Sequence, residues 1–206
     1  MTVGDELEEL YLNKPQGFDC GVKLYELTRA HLSGGYSGFI PIVSAEQNEI
    51  ISNENQGSEP SYRVAVKELL IINKNSVFGA VDAEGFIWAL ALLNRVERLE
   101  TQFKQYRVEL ISPNTSISFD SKNATLSVEF YATAYVETAD GIERKEMKRE
   151  ITEYILKNVR EAFEKTQKEL GIDMLNILAI LKQNGKEDCS LGDITTEYKI
   201  SINLTE

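Results

Sequence analysis

The sequence predicts an α+β fold in which a mostly antiparallel sheet packs against one long amphipathic helix and a second, buried helix. Three observations support this prediction. Apolar side chains recur at three-, four- or seven-residue steps between Ile151 and Leu181, which is typical of a helix with one buried face. Residues 126–136 alternate between apolar and polar side chains, as in a strand with one core face. Residues 86–96 are apolar on most sides, which indicates a buried helix.

The first sixty residues predict two short helices and one strand. Residues 4–12 and 19–32 have helical patterns, and two glycines stop the second helix. Residues 39–43 form a short apolar run that contains Pro41, so we expect an edge strand. Residues 44–61 are polar and are predicted to be a loop or linker.

The distribution of charge predicts a domain boundary near position 60. Residues 1–60 contain ten acidic and three basic side chains, whereas the remaining 146 residues contain 23 and 19. We therefore interpret residues 1–60 as the remnant or end of a preceding helical or mixed domain with its linker. Residues 61–206 are interpreted as a C-terminal α+β domain. The net charge of -11 argues against nucleic acid as a partner, because phosphate binding needs clustered cations.

The C-terminal part begins with a predicted hairpin. Val64 to Ile72 has the composition of a strand, residues 73–76 form a tight turn, and Val77 starts the return strand. Asp82 is expected to cap the buried helix through its carboxylate.

Three further strands are predicted before the long helix and one after it. Residues 106–110 alternate, Pro113-Asn114 is expected to turn the chain, and residues 117–119 continue on one face. The alternating strand 126–136 follows, and residues 194–204 alternate as a final strand. The order is strand, strand, helix, three strands, long helix, strand, which is an α+β order.

The sequence contains no recognisable catalytic or metal-binding constellation. His31 is the single histidine and is expected to face solvent; on a helix, Cys20 lies about three turns or about 16 Å away from it. Cys20 and Cys189 are interpreted as two separate thiols. No zinc spacing or phosphate-binding glycine motif occurs. A calcium site is conceivable in the acidic loop 187–193, but its spacing favours a solvated loop. We therefore expect no enzyme activity, no metal and no cofactor.

The polar side of the strand 126–136 is the best candidate for a functional surface. Glu129, Tyr131, Thr133 and Tyr135 alternate along it. A wet sheet face or an interface with another domain is the favoured interpretation, and a ligand-binding groove is the alternative. No ligand-binding residue can be assigned from the sequence.

Several segments carry a resemblance to a known family. Residues 68–93 have a strand, a Lys-containing turn, a short strand ending in Gly and an acidic-Gly pair that opens an apolar helix. These features lie at Lys74, Gly79, Asp82, Glu84, Gly85 and Trp88. The long helix contains Gln167 followed by Asp173, the strand 198–204 matches a closing strand, and Phe39 to Pro41 matches the end of a preceding domain. In these features the chain resembles the C subunit of spore germinant receptors, the Ger(x)C family, over residues 20–206.

The resemblance implies that the chain corresponds to the C-terminal domain of a family member, together with part of the preceding domain. It further implies a non-catalytic subunit of a nutrient receptor complex. It implies a role in spore germination through protein–protein contacts with membrane-embedded A and B subunits. Members are lipoproteins on the outer face of the spore inner membrane, and Cys20 does not lie in a lipobox-like context. The chain itself is therefore expected to be soluble, with the membrane reached only through a lipid anchor absent from it. The alternative is a helix-grip protein that binds a small molecule between a long helix and a curved sheet.

Overall fold

The described part of the chain forms a three-stranded sheet and a four-stranded sheet, and a long helix covers one face of the larger sheet. The computed structural model describes residues 37–47, 62–73, 76–82, 86–137, 143–186 and 188–205. The predicted helices 4–12 and 19–32, with Cys20 and His31, lie outside the described residues, as do Lys74, Glu84, Gly85 and Glu187. The predicted α+β fold with a mostly antiparallel sheet is confirmed.

The smaller sheet contains the predicted hairpin and the predicted edge strand. Its strands are β1 (Ser37–Gln47), β2 (Tyr62–Asn73) and β3 (Ser76–Asp82), in the order β1-β2-β3 with antiparallel pairing. β1 contains Pro41 and lies at the edge of the sheet, as predicted. The prediction of a loop over residues 44–61 is wrong for 44–47, which continue β1 because they pair with residues 62–65 of β2. β1 precedes position 60 and pairs with β2, which follows it; the domain division at this position stays a prediction.

The buried helix begins later and ends earlier than the sequence predicts, since residues 93–96 lie beyond its last turn. Asp82 is the last residue of β3, where it pairs with Glu68, so its predicted role as helix cap is wrong. The helix α1 spans Ile87–Leu92, with Phe86 at its N-cap position and no capping side chain. Ala89 to Leu92 are at most 4% exposed, which confirms the predicted burial. Strand pairing therefore outweighs the local capping preference of Asp82.

The larger sheet has one strand that joins it in parallel. Its strands are β4 (Arg98–Phe103), β5 (Tyr106–Asp120), β6 (Thr125–Glu137) and β7 (Thr195–Thr205), in the order β4-β5-β6-β7. β4 was not predicted. β6 and β7 are parallel, because a helical connection between them returns the chain to the end of the sheet at which β6 begins. The other strand pairs are antiparallel.

A bulge replaces the turn predicted at Pro113-Asn114. β5 is one continuous strand, and its register with β6 shifts between Ile111 and Asn114. Ser112 has a φ of 48°, and its amide donates to the carbonyl of Glu97 at 2.8 Å. A bulge accommodates Pro113 because its residues leave the ladder. The two predicted strands 106–110 and 117–119 are therefore halves of one strand.

The long helix starts earlier and ends earlier than the sequence predicts. α2 spans Arg144–Phe163, continues as a π-helical turn over Glu164–Glu169, and is separate from α3 (Ile177–Gln183). Gly171 and Asn176 between them adopt left-handed conformations, with φ of 61° and 57°. The prediction of one helix from Ile151 to Leu181 is therefore wrong, because the apolar period continues across a break in the backbone.

One side of α2 closes the core against the larger sheet. Ile151, Ile155, Val159 and Phe163 recur every four residues and are at most 2% exposed. The side of the sheet that shares this core carries fully buried apolar residues, among them Val108, Leu110, Leu126, Val128, Phe130, Ala132 and Ala134. This burial leaves the other side of the sheet as the polar surface.

Candidate interaction surface

The candidate site is the side of the larger sheet that faces away from α2, which we call the open face. It carries the side chains of β6 that the sequence predicts to be polar: Glu129, Tyr131, Thr133 and Tyr135. Tyr131 is 49% exposed and Tyr135 is 43% exposed, whereas the intervening Ala132 and Ala134 are fully buried. The predicted alternation of a core face and a wetter face in β6 is confirmed.

The centre of the open face has no charged side chain. Tyr131 lies between Asn114 of β5 and Ser201 of β7, and Thr133 lies between Ile111 and Asn203. Tyr131 and Tyr135 are four residues apart, which is about 13 Å along a strand. The two rings therefore project from one strand at separate points of a flat surface.

Ion pairs surround this uncharged centre. On one side, Arg98 lies 3.5 Å from Glu109, and Arg107 lies 3.1 Å from Glu100 and 3.6 Å from Glu137. On the other side, the ammonium of Lys199 lies 3.0 Å from the carboxylate of Glu129. These side chains are largely exposed, so water screens the pairs and they contribute little to stability. Their effect is to place a polar rim around the two tyrosines.

This arrangement suits contact with another protein. Interface centres are depleted of charge and enriched in tyrosine, and their rims are polar and solvent-accessible. An exposed tyrosine offers a large apolar area at a small cost in conformational entropy, and its hydroxyl group can bond to a partner. The open face combines both properties at Tyr131, which lies in the uncharged centre. Tyr135 lies at the border of this centre, opposite Glu109 of β5, which belongs to the ionic rim.

A shallow pocket lies at one end of the open face, beside the turn between β5 and β6. Its volume is about 330 Å³, and it is lined by Ser118, Phe119, Asp120, Asn123, Thr125, Ser127, Glu197 and Lys199. Asp120 already accepts hydrogen bonds from the amide of Lys122 and from Asn123, which hold its pKa below the usual range. The Asp120 carboxylate thus stabilises the turn.

Residues of the open face that lie outside β6 were not identified from the sequence. Ile111 lies next to the bulge, where the alternation of β5 is interrupted, so its outward position depends on pairing with Thr133. Ser201 and Asn203 are on the polar side of the predicted strand 194–204, and that alternation was the available signal. Knowing that β7 pairs with β6 was also necessary, and a single sequence does not show strand order.

The buried polar side chains Asp173 and Gln167 lie in the core, and Oε1 of Gln167 has no hydrogen-bond partner within the described part of the chain. Asp173 is 1% exposed and accepts the amides of Ile177 and Leu178 at 2.6 and 2.9 Å, at the start of α3. Burial raises the pKa of the Asp173 carboxyl, although these two bonds oppose the change. Gln167, buried in the π-helical turn, donates to the hydroxyl of Thr166. The two family-like positions Gln167 and Asp173 therefore lie in the core.

No metal-binding cluster of three or more histidine, cysteine or acidic side chains occurs within the described ranges. Cys189 is a free, half-buried thiol. Of the acidic loop 187–193, Glu187 and the side chain of Asp193 are not described. Among the helices that the structure describes, none is long and apolar enough to cross a membrane.

Comparison with known proteins defines the class of fold. No family model matches the chain, and no curated protein matches it. The structure is similar to the crystal structure of the GerBC protein, with a TM-score of 0.61 and 14% sequence identity. The similarity covers 90% of this chain and 61% of that chain, so this chain spans under two thirds of the GerBC structure. The Ger(x)C-like fold expected from the resemblance is confirmed.

Proposed function

We propose that this chain is the soluble part of the C subunit of a spore germinant receptor and that it acts through protein–protein contacts. Two independent observations support the proposal. The sequence resembles the Ger(x)C family in ordered segments, and the fold is similar to that of GerBC over 90% of this chain. The open face supports the proposal at the level of residues, because it exposes Tyr131 in an uncharged patch and Tyr135 at the border of that patch, beside the ionic rim.

The proposed partners are the membrane-embedded A and B subunits of the receptor. A contact with them requires that the chain lie at the outer face of the spore inner membrane, held there by a lipid anchor in the full-length protein. The open face is the proposed contact surface, since α2 and the core occupy the other side of the sheet. The subunit has no catalytic role in this proposal; its binding supports nutrient sensing by the complex.

The alternative, a helix-grip carrier, has less support. Such a protein needs a cavity between its long helix and its sheet. The four core-facing residues of α2 are at most 2% exposed, and Ala132 and Ala134 on the core side of β6 are fully buried. The strand β7, which follows α2 and lies beside β6, extends the sheet and its core.

Deletion of the gene tests the proposed function. We expect spores of the deletion strain to form normally and to germinate poorly in response to nutrients, because the receptor complex lacks one subunit. Reintroduction of the full-length gene should restore the response, which excludes an effect on neighbouring genes. Normal nutrient-triggered germination in the deletion strain, with no paralogue to compensate, would contradict the proposal.

A further inference from the structure

The four outer strands of the two sheets differ in how their edges are protected. Exposed edges attract other strands, and proteins usually block them with proline, bulges or short strands. β1 carries Pro41 and a register shift between Ile42 and Val43, β4 has six residues, and the β2–β3 pairing shifts between Ile71 and Ile72. β7 has eleven residues, no proline, and a continuous register with β6. Among the described outer strands, β7 is therefore the longest that has neither a proline nor a register shift.

The first half of β7 also leaves apolar side chains incompletely covered. Ile202 and Leu204 are buried, at 5% and 7% exposure, whereas Tyr198 and Ile200 on the same side are only half-buried. Near the end of the strand, the guanidinium of Arg144 donates to the carbonyl of Leu204 at 2.9 Å. The segment that is open to a further strand is therefore Thr195 to Ile202.

This segment is complementary to a second copy of itself. Glu197 and Lys199 lie on the open face, one on each side of Tyr198. In an antiparallel pair centred on Tyr198, Glu197 of each copy is directly opposite Lys199 of the other, because the residue numbers of opposite positions always add up to the same total. The twofold symmetry produces this attraction twice. The ammonium of Lys199 has three donors, so it can keep its bond to Glu129 as well.

We propose that two copies of this chain associate through their β7 strands and form one continuous eight-stranded sheet. Two four-stranded sheets supply the eight strands, a size that natural open sheets reach. The antiparallel ladder pairs the free backbone groups of both edges, and Tyr198 and Ile200 of each copy gain cover on the core side. The two open faces then lie side by side on the same surface of the dimer.

Charge reversal with mixing tests this dimer. Analytical ultracentrifugation of the full chain should show dimers at protein concentrations up to about 100 µM, which corresponds to a weak to moderate Kd. Glu197→Lys and Lys199→Glu, each alone, place like charges opposite each other twice and should raise the dimer Kd roughly tenfold or more. An equimolar mixture of the two variants places Lys opposite Glu at both positions, so it should form heterodimers with near wild-type affinity.

A variant on the same face but distant from β7 serves as the control. Arg107→Glu removes the ion pairs with Glu100 and Glu137 and should leave the dimer Kd unchanged. A wild-type chain that stays monomeric over the whole concentration range would overturn the proposal. A mixture that associates no better than either single variant would also overturn it, because the register centred on Tyr198 predicts that mixing restores the affinity.

Discussion

At the scale of single residues, Glu150 joins the start of α2 to the hairpin between β4 and β5. One carboxylate oxygen accepts the hydroxyl of Tyr106 at 2.8 Å, and the other pairs with the ammonium of Lys104. These bonds favour the charged form, so the pKa of the Glu150 carboxyl lies below its ordinary value of 4.5. The interaction is thus a source of stability that depends on pH.

Replacing Glu150 with Gln should lower the Tm at neutral pH. Because the folded state lowers the pKa, the carboxylate stabilises the fold above the unfolded pKa and loses this effect as the pH falls through the folded value. The difference in Tm between Glu150→Gln and the wild type should therefore be full at neutral pH and shrink below about pH 4.5. Thermal melts across that range measure it. Glu153→Gln, at an exposed position of the same helix, serves as the control and should leave the Tm at neutral pH unchanged.

Truncation of two neighbouring residues of β6 should change the free energy of unfolding by very different amounts. Phe130→Ala removes a ring that is 1% exposed and should cost about 3–5 kcal/mol in the free energy of unfolding. Tyr131→Ala removes a ring that is 49% exposed and should change that free energy by about 0.5 kcal/mol or less. Urea unfolding compares the two. A large loss for Tyr131→Ala would mean that this ring belongs to the core.

At the scale of elements, α3 depends on a side chain that precedes it by four residues. Asp173 accepts the first two amides of α3, which have no partner within the helix. Asp173→Ala leaves both amides unpaired beside the core and should cost about 1–3 kcal/mol in unfolding free energy. Hydrogen exchange at Ile177 and Leu178 should accelerate more than exchange in β6. Unchanged protection of these two amides would contradict the capping role.

The elements also show which parts of the fold a single sequence can predict. β6 was predicted because it is regular and buried on one side, so its alternation is complete. β5 was divided wrongly because Pro113 is typical of both turns and bulges, and only the pairing with β6 distinguishes them. The end of α2 was missed because apolar spacing continues through Gly171 into α3. In both cases the error arises where backbone geometry departs from the side-chain pattern.

At the scale of the whole molecule, the fold follows from a few elements in which buried apolar side chains recur at regular intervals. A 14% identity with GerBC is enough for a TM-score of 0.61, since many apolar side chains of similar volume can fill the same core. The side chains of the open face do not have to fill a core. The sequence identified its central strand, and the neighbouring strands that complete it became evident only from the strand order.

The most direct measurement is nutrient-triggered germination of deletion spores that express a Tyr131→Ala/Tyr135→Ala variant of the full-length protein. We expect wild-type protein levels with strongly reduced germination, because truncation removes both tyrosines of the proposed contact surface without opening the core. A matched variant, Lys157→Ala/Glu161→Ala, removes an exposed pair on α2 and should germinate normally. Wild-type germination by the double tyrosine variant would contradict the account.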